Sequence, residues 1–253
     1  ANDTDYGEPE PVCHAVMENL LQIRQYLQQD APAARLDLLV DWVETACARL
    51  RPVLGQRKAD GGVRECHGDM HLRNLAWVDG RPLVFDCIEF NPQLRWIDVI
   101  SEIAFLVMDL QDRDRPQLAW RFLNAWLEAF GDYAGTGVLR FYLLYRALVR
   151  AKVEAIRVSQ AGIGDDEKAA VMREFRGYLQ LAVDYTAPPA PALIITRGVS
   201  ASGKSTLTQP LLEELGAIRI RSDVERKRLF GIPDNTHAHD GVGGGIYTTA
   251  ASV

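Results

Sequence analysis

The sequence predicts an α+β protein in which a mostly helical body carrying one small hairpin precedes an incomplete α/β domain. Three observations lead to this prediction. Apolar residues recur at three- and four-residue spacing over most of the first part of the chain, a Pro/Ala-rich stretch follows, and the remaining residues alternate between strand-like and helix-like patterns. We therefore expect a helical region at 1–185, an extended linker at 186–192 and a partial α/β domain at 193–253.

Helical periodicity predicts two helices at the start of the chain, over Val12–Leu27 and Leu36–Leu54. The period then changes, and the residues Leu75–Asp86 predict two short strands around an Asp-Gly turn, which is typical of a hairpin. Helical spacing returns from Trp96 to Tyr185, where we expect four helices with breaks at 112–116, 131–137 and 161–165.

Beyond the linker, the pattern predicts a β-α-β-α order. The expected strands are Leu193–Thr196 and Ala217–Ile220, and the expected helices are Lys204–Leu215 and Asp223–Phe230. The last residues, Gly241–Val253, are Gly-rich and show no periodicity, so we expect them to be mobile or extended.

Composition and charge exclude several classes of protein. The 253 residues are 47% hydrophobic and 25% charged, and the net charge is -6 at neutral pH. A negative chain offers no general basic field, so a nucleic-acid partner is not expected. No apolar run approaches the roughly 20 residues of a spanning helix, so no membrane partner is expected either. The sequence leaves the oligomeric state open.

The four cysteines are widely spaced and form no C-x-x-C pair, which argues against both a zinc site and a disulfide framework. We therefore expect free thiols and a reducing, cytoplasmic location. The N-terminus is polar and acidic, unlike a signal peptide, and the absence of an initiator Met predicts a partial chain. The cysteines are Cys13, Cys47, Cys66 and Cys87.

A first motif with catalytic chemistry begins with His67-Gly-Asp69 and continues with Asn74 and, after the hairpin, Asp86. Protein kinases place a catalytic Asp and a metal-binding Asn five residues apart, followed by a second metal-binding Asp. By this spacing, Asp69 would accept the proton of the substrate hydroxyl, while Asn74 and Asp86 would hold Mg²⁺ bridging the phosphates of ATP. A bare His-Gly-Asp can also be a simple turn with an Asp cap.

With these residues in place, the stretch from Cys66 to Asp98 resembles the aminoglycoside phosphotransferase family, which has a kinase-like fold and carries His-Gly-Asp where protein kinases carry His-Arg-Asp. The resemblance implies that residues 1–185 form a kinase-like C-terminal lobe. It also implies that Asp98 hydrogen-bonds back to the catalytic loop and orients it, although a helix cap explains this residue equally well. Only 68 residues, mostly helical in pattern, precede Asp69, so the N-terminal lobe with its ATP-anchoring Lys is expected to be absent.

Three other side chains of the same loop have less specific interpretations. His67 is expected to orient or shape the loop rather than to carry a proton. His71 and Arg73 could contact phosphate or substrate, or could be solvated loop side chains, and we favour the second interpretation.

A second motif, Gly198-Val-Ser-Ala-Ser-Gly-Lys-Ser205, matches the P-loop (Walker A) pattern G-x-x-x-x-G-K-[ST] between an expected strand and an expected helix. Backbone N–H groups of such a loop surround the β-phosphate of ATP, Lys204 reaches the β- and γ-phosphates, and the Ser205 hydroxyl binds Mg²⁺. A flexible Gly/Ser linker is the alternative. The predicted nucleotide-binding residues are Gly198, Ser200, Ser202, Gly203, Lys204, Ser205 and Thr206.

The stretch that follows, Arg219-Ile-Arg-Ser-Asp223, resembles small P-loop kinases of the gluconate kinase, polynucleotide kinase and zeta-toxin type. That resemblance implies that Asp223 binds or deprotonates the acceptor hydroxyl, whereas the alternative is a helix N-cap. The order of the two motifs is similar to that of bacterial two-module proteins described as aminoglycoside phosphotransferase/ATP-binding fusions. Against that pattern, we expect no second acidic metal-binding strand and no Arg-bearing lid after the P-loop of this chain.

The function predicted from these motifs is that of a kinase that uses ATP and Mg²⁺ to phosphorylate a hydroxyl of a small molecule, such as a sugar or an aminoglycoside-like compound. One alternative is a nucleotide-binding or regulatory module without turnover in this form, and another is a polynucleotide-kinase-like enzyme. The sequence does not specify the acceptor, the activity of this chain without an N-terminal lobe and a lid, or whether the two ATP sites are coupled.

Overall fold

The structure is a computed structural model that describes residues 4–28, 31–160, 162–188, 190–199 and 202–232. The predictions for Ser200 and for Gly241–Val253 therefore lie outside the described residues.

The described residues form two compact units. The first comprises the residues up to Arg115 together with Ala134–Ile195, and the second comprises Pro116–Tyr133 together with the residues from Thr196 onward. The sequence gives no sign that Pro116–Tyr133 groups with the C-terminal residues, because its helical periodicity is the same as that of its neighbours. The domain boundaries predicted from composition stay predictions.

The first unit is mostly helical, as expected. Its helices are α1 (Pro9–Leu27), α2 (Ala33–Ala59), α3 (Pro92–Arg95), α4 (Val99–Asp112), α6 (Thr136–Ser159) and α7 (Asp165–Asp184). Helix α6 packs against α1, α4 and α7, so it forms the centre of this unit.

Periodicity explains why these segments are helical. In α1 the buried residues Val16, Leu20, Ile23 and Leu27 follow one another at spacings of four, three and four, which places them on one face. Pro9 lies at the start of α1, where its fixed φ suits a helix. It has no backbone N–H, but an N–H at this position would have no acceptor within the helix. The four helices expected between Trp96 and Tyr185 are confirmed as α4, α5 (Pro116–Phe130), α6 and α7.

Two small antiparallel ladders lie within the helical unit. Strands β2 (Leu75–Val78) and β3 (Arg81–Val84) form the predicted hairpin, with Val78 opposite Arg81. Its two turn residues, Asp79 and Gly80, both have positive φ, of 49° and 74°, as a two-residue hairpin turn requires. The second ladder pairs β1 (Val63–Glu65) with β4 (Trp96–Asp98), and the sequence did not predict it.

The second unit contains α5 (Pro116–Phe130), α8 (Lys204–Leu215) and α9 (Ser222–Leu229), and α5 packs against α8. The helices expected at 204–215 and 223–230 are confirmed to within one residue at each end.

The two strands predicted in this part of the chain are wrong. Residues 193–196 and 217–220 have no strand structure, and Leu193 and Ile195 are 86% and 74% exposed. An apolar run becomes a strand only when neighbouring strands accept its backbone hydrogen bonds and cover its side chains. No strand of the described residues pairs with either segment, so the apolar pattern alone does not produce a sheet.

The expectation of four free thiols is also wrong. Cys13 on α1 and Cys47 on α2 form a disulfide with a Cα–Cα distance of 5.9 Å, whereas Cys66 and Cys87 are free. Disulfide formation depends on the distance between two Cα atoms in the fold, and spacing along the sequence does not report it when two helices lie side by side. The expectation of a cytoplasmic location rested on free thiols and loses that support.

The membrane prediction was tested on the helices. Among the described parts of the chain, no helix combines the length and the apolar character needed to cross a bilayer.

Candidate functional site

The loop that carries His67-Gly-Asp69 runs from the end of β1 into a short 3-10 helix, Leu72–Asn74, that leads directly into β2. Gly68 has a φ of 86°, and a Cβ at this position would lie 2.7 Å from the carbonyl oxygen of Leu94. Only glycine adopts this conformation and fits this space without strain. The glycine of the motif is therefore required by the shape of the loop.

Asp69 lies within this loop as a partly exposed carboxylate, with 34% of its side chain accessible. The Asn74 side chain donates from Nδ2 to the carboxylate oxygen Oδ2 of Asp69 at 2.9 Å and to its carbonyl oxygen at 3.0 Å. His71 Nε2 lies 3.3 Å from the same Oδ2. The two residues that the sequence predicted as catalytic base and metal ligand, Asp69 and Asn74, are thus in direct contact.

These contacts keep Asp69 ionised. Burial by itself would raise the pKa of Asp69, but the hydrogen bonds from His71 and Asn74 and the positive charge of Arg146 lower it below its usual value. An ionised carboxylate can accept a hydrogen bond from a hydroxyl and orient it for attack, which is the role expected of Asp69.

His71 is neither solvated nor free to contact phosphate, so the interpretation favoured from the sequence is wrong for this residue. Its side chain is buried and packs edge-on against Phe105, with ring centroids 5.2 Å apart. Its Nδ1 accepts from the backbone N–H of Arg73 at 3.2 Å, so in the neutral ring the proton lies on Nε2, which faces Asp69. Arg73 itself is half-exposed and lies 3.4 Å from Glu174.

The two predicted metal ligands of this loop, Asn74 and Asp86, differ in burial. Asn74 is buried and uses its amide N–H₂ group on Asp69, which leaves its side-chain oxygen as the atom that could bind a metal. Phe85, which precedes Asp86, donates its backbone N–H to the Asn74 carbonyl oxygen at 3.0 Å, so the backbone of Asp86 is held beside the loop. The Asp86 side chain is exposed. Asp86 has a φ of 61°, which is uncommon for Asp.

The chemistry of this donor set fits Mg²⁺, which prefers oxygen ligands and is usually bound by one or two carboxylates together with substrate phosphates. No group of three or more His, Cys, Asp or Glu residues suited to a metal occurs in the described residues, so these residues offer no complete protein cage. That Asn74 and Asp86 hold Mg²⁺ stays a prediction.

His67 connects the loop to the end of the hairpin. Its Nε2 lies 2.8 Å from the carbonyl oxygen of Phe85, and its Nδ1 accepts from the backbone N–H of Asp69 at 3.3 Å. Both ring nitrogens are used within the fold, which agrees with a loop-shaping role for His67.

The role expected of Asp98 needs a correction. Asp98 is buried and makes a bidentate ion pair with Arg57, with N···O distances of 2.6 and 2.8 Å, and it caps α4 by accepting from the N–H of Ile100 at 2.9 Å. These are the contacts of a helix cap, and the hydrogen bond back to the catalytic loop is made instead by Glu102, one turn further along α4. Side chains four residues apart lie on the same face of a helix, so the sequence pattern does not distinguish the two acids.

Glu102 and Arg146, which the sequence analysis missed, hold both sides of Gly68. Glu102 Oε2 accepts the Gly68 N–H at 2.9 Å, and Arg146 Nη1 donates to the Gly68 carbonyl oxygen at 3.2 Å. Both side chains are buried, and burial raises the pKa of Glu102 despite the nearby charge of Arg146. We call Glu102 and Arg146 the Gly68 clamp.

Helix α4 supports the other end of the loop as well. Asp109, seven residues after Glu102 and therefore on the same face of α4, accepts the N–H of Leu72 at 2.8 Å. Acidic residues seven apart, flanking the apolar run Ile103–Met108, are the sequence signal that could have identified this support.

In the second unit, the P-loop segment leads into α8. Gly198 and Gly203 have φ values of 151° and 80°, and Gly203 immediately precedes the first residue of α8, Lys204. The Lys204 ammonium donates to the carbonyl oxygens of Gly198 and Val199 at 2.9 and 2.6 Å, so it closes the loop on itself. To reach a nucleotide phosphate, Lys204 must exchange these carbonyls for phosphate oxygens.

The other predicted P-loop residues lie at the start of the same helix. Ser205 and Thr206 are exposed in the first turn of α8, and Ser202 Oγ lies 3.5 Å from Lys204 Nζ. The first backbone N–H groups of a helix have no intrahelical partner and attract anions, so this arrangement fits a phosphate group.

Asp223 lies in the first turn of α9 and does not cap it, because α9 begins at Ser222 and has no side-chain cap. Its carboxylate is 52% exposed and pairs with Arg221 at 3.0 Å, and Arg221 also contacts Glu128 of α5 at 2.7 Å. The structure therefore favours a surface carboxylate over the N-cap as the description of Asp223.

A cavity of about 790 Å³ lies within this second unit. Its lining includes four basic side chains and the carboxylate of Glu128, and the Arg219 guanidinium on its wall donates to the carbonyl oxygen of Ser205 at 3.2 Å. The sequence did not predict this cavity, because α5 lies far from the P-loop in the sequence. The four basic residues are Arg121, Arg219, Lys227 and Arg228.

Comparison with known proteins identifies the C-terminal part of the chain. Residues 193–251 match the profile of a family described as an AAA domain, a P-loop nucleotide-binding family that includes kinases. This part of the chain is therefore a P-loop kinase-like domain, which generally binds ATP with Mg²⁺.

The chain is also similar to uncharacterized proteins of Mycobacterium bovis and of two strains of Mycobacterium tuberculosis, CDC 1551 and H37Rv. Each is 32% identical to it over 223 residues, which cover 88% of this chain and 44% of the relative. The chain thus spans less than half the length of these curated relatives. No solved structure matches it significantly.

Proposed function

We propose that the chain contributes to an ATP-dependent phosphotransferase that moves the γ-phosphoryl group of ATP to a hydroxyl of a small molecule, such as a sugar or an aminoglycoside-like compound. The observation that carries the proposal is the P-loop sequence at the start of α8 within a region that matches a P-loop family. Because the relatives are about twice as long as the chain, the activity of a whole protein is part of the proposal.

In this proposal the P-loop binds the phosphates of ATP. The free N–H groups at the start of α8 surround the phosphate oxygens, Lys204 leaves the loop carbonyls to neutralise the β- and γ-phosphates, and the Ser205 hydroxyl is a ligand for Mg²⁺. The bound Mg²⁺ would neutralise charge that develops during transfer.

The acceptor side of the P-loop domain would be served by Asp223. Its exposed carboxylate could accept the proton of an acceptor hydroxyl, and the pairing with Arg221 would fix its direction. This assignment rests on the resemblance to small P-loop kinases and on the exposure of Asp223.

For the first unit, we propose a second phosphoryl-transfer site of the aminoglycoside phosphotransferase type. Asp69 would orient the acceptor hydroxyl and take its proton, and Asn74 Oδ1 and the Asp86 carboxylate would hold Mg²⁺. The direct contact between Asp69 and Asn74 and the low pKa of Asp69 support these roles. The arrangement of a lobe at 1–185, a linker at 186–192 and a P-loop domain at 193–253 belongs to the same proposal.

Two other functions are supported by particular observations. Lys204 closes the P-loop with its own carbonyl oxygens, which would suit a nucleotide-binding or regulatory module without turnover. The basic lining of the cavity in the second unit suits phosphate groups, which would favour a polynucleotide-kinase-like enzyme.

Calorimetric titration of ATP with Mg²⁺ into the chain tests the P-loop assignment. We expect Lys204→Ala to remove most of the binding and Asp69→Ala to leave it nearly unchanged, because a catalytic base contributes little to ground-state nucleotide affinity. Lys168→Ala is the matched control, since Lys168 is an exposed lysine on α7. Undiminished affinity in Lys204→Ala would refute the assignment, and equal losses in Lys204→Ala and Asp69→Ala would indicate one composite site.

Activity measurements then separate the candidate functions. ATP binding with phosphorylation of a hydroxyl compound supports the phosphotransferase, whereas ATP binding without transfer to any acceptor tested supports the regulatory module. Binding of DNA or RNA that weakens steeply with salt, together with 5'-phosphorylation, supports the polynucleotide-kinase-like enzyme.

A further inference from the structure

Within the second unit, helix α5 carries an acidic side chain that contacts two arginines of the P-loop region. The two carboxylate oxygens of Glu128 face different partners: Arg221 Nη1 donates to Oε1 at 2.7 Å, and Arg219 Nη2 lies 3.6 Å from Oε2. All three side chains are partly buried. Helix α5 lies outside residues 193–251, which match the P-loop family, so this contact brings an element from elsewhere in the sequence to the P-loop region.

The two arginines are held differently. Arg221 donates one hydrogen bond to Glu128 and a second to Asp223 at 3.0 Å, so both of its terminal nitrogens are fixed. Arg219 lies beyond hydrogen-bond distance of Glu128, and its buried Nε has no hydrogen-bond partner in the described structure. A buried N–H group without an acceptor is uncommon in a folded protein. Arg219 is therefore the arginine that loses less when it exchanges Glu128 for another acceptor.

Arg219 also lies beside the start of α8. Its Nη1 donates to the carbonyl oxygen of Ser205 at 3.2 Å, and Ser205 is the second residue of the helix. One turn of an α-helix rises about 5.4 Å, so the guanidinium lies about one turn from the free N–H groups that would hold the phosphates of ATP. The arginine side chain has several rotatable bonds and can cover this distance.

Two cationic groups beside the P-loop are occupied by acceptors of the protein itself. Lys204 donates to the carbonyl oxygens of Gly198 and Val199, and Arg219 faces the carboxylate of Glu128. Charges closer than a Debye length, about 8 Å at physiological salt, act on one another with little screening. The Glu128 carboxylate is 3.6 Å from Arg219, so it also repels a phosphate that Arg219 reaches. The contact therefore opposes nucleotide binding.

We propose that α5 is an autoinhibitory element of the P-loop domain, in which Glu128 holds Arg219 away from the nucleotide. When ATP binds, Arg219 leaves Glu128 and donates to phosphate oxygens, which suit a planar guanidinium because it can form two parallel hydrogen bonds. Arg221 keeps its contacts with Glu128 and Asp223, so the proposed acceptor base stays in place. The inference rests on the proposed function, because it requires the P-loop to bind ATP.

Calorimetric titration of ATP with Mg²⁺ into the whole chain measures this inhibition. Glu128→Gln removes the negative charge but keeps the size of the side chain and an oxygen that can accept from Arg221. We expect it to raise the ATP affinity about fivefold, because Arg219 no longer has to leave a carboxylate. Glu214→Gln is the matched control: it removes the same charge from an exposed position of α8 and should leave the affinity nearly unchanged. Equal gains in the two variants would overturn the proposal.

A second comparison tests whether the effect acts through Arg219. Arg219→Met should lower the ATP affinity about fivefold, because the phosphates lose a cation. When Glu128→Gln is added to Arg219→Met, most of the gain expected from Glu128→Gln should disappear, since the two residues act on ATP as a pair. A gain of the same size with and without Arg219 would refute its role.

Thermal melting shows whether each variant is folded. If Glu128→Gln is not, Glu128→Asp takes its place, because it keeps the charge and withdraws the carboxylate from Arg219 by about 1.5 Å, the length of one C–C bond. We expect Glu128→Asp to raise the ATP affinity about twofold, and an unchanged or lower affinity would overturn the proposal.

The same titrations separate this inference from the proposed function. If ATP binds the wild type and Lys204→Ala removes the binding, but Glu128→Gln leaves the affinity unchanged, only the autoinhibitory role of α5 is wrong. If ATP binds neither the wild type nor Glu128→Gln, the P-loop assignment and this inference are both wrong.

Discussion

The ion pair between Arg57 and Asp98 gives a quantitative test of how the start of α4 is held. The pair has an N···O distance of 2.6 Å, and its side chains are only 9% and 3% exposed. On the same helix as Arg57, Arg51 pairs with Glu10 at the same distance of 2.6 Å, but these side chains are 57% and 61% exposed. The two pairs differ in burial and not in length, so they separate the effect of burial from that of contact.

Replacing one partner of a buried pair leaves the other charge buried without compensation, which costs about 3 to 5 kcal/mol of unfolding free energy. Arg57→Met removes the charge with little loss of volume and leaves Asp98 with the N–H of Ile100. We therefore expect a loss in that range, whereas Arg51→Met should cost no more than about 1 kcal/mol. Adding Asp98→Asn to Arg57→Met should recover part of the loss, because an Asn still caps the helix and carries no charge.

Urea unfolding followed by circular dichroism measures these differences in unfolding free energy. Hydrogen exchange at the Gly68 amide adds a local readout. Glu102 on α4 accepts that N–H, and the position of Glu102 depends on where the helix begins. If Arg57→Met costs no more than Arg51→Met, the argument from burial is wrong. If the unfolding free energy falls but Gly68 stays protected, the link from the Asp98 cap to the loop is wrong.

Three further predictions concern other parts of the chain. Glu102→Gln should remove part of the pH dependence of the unfolding free energy. Burial raises the pKa of Glu102 above 4.5, so the wild type loses stability as pH rises from about 4.5 through the raised pKa. The variant should not show this loss. Reduction of the disulfide between Cys13 and Cys47, which are 34 residues apart, should lower the unfolding free energy by about 3 to 4 kcal/mol, and equal urea midpoints with and without reductant would contradict this. Asn124→Ala should destabilise the second unit by about 1 to 3 kcal/mol, because the Asn124 side chain accepts the N–H of Arg219 at 2.7 Å. If residues around Arg219 resist limited proteolysis as well in the variant as in the wild type, this prediction is wrong.

The sequence predicts those parts of the fold that have a local physical signal. Helical spacing placed the ends of α8 to the residue, since Gly203 before it and Gly216 after it have left-handed backbones that end the periodic segment. The Asp79-Gly80 turn likewise fixed the register of the hairpin, because a two-residue turn allows only one pairing of its flanking strands.

Long-range contacts have no such signal. The β1–β4 ladder joins two three-residue segments more than 30 residues apart, and three residues are too few to show a period. In the same way, the apolar run at 193–196 is compatible with a strand, but the presence of a partner decides whether the strand forms. Residues 217–219 are instead held by the side chain of Asn124, which contacts the Ala217 carbonyl oxygen and the Arg219 N–H as a neighbouring strand would.

The same limit applies to the candidate site. Asp69, Asn74 and Asp86 were identified because their spacing along the chain reflects the chemistry of phosphoryl transfer. The Gly68 clamp was missed because its two members lie on helices α4 and α6, and each looks like an ordinary helix residue in the sequence.

Helix α4 connects the packing of the first unit to the chemistry proposed for it. Asp98, Glu102 and Asp109 are buried on or at the start of this apolar helix, and each accepts a backbone N–H, one from the helix itself and two from the catalytic loop. A buried carboxylate is costly unless it is hydrogen-bonded, so Glu102 and Asp109 stabilise the protein only while the loop keeps its shape. That shape also brings His71 and Asn74 to Asp69 and so lowers its pKa. The ionised state of the proposed catalytic base is therefore a consequence of how α4 holds the loop, and changes in α4 should affect the chemistry without touching Asp69.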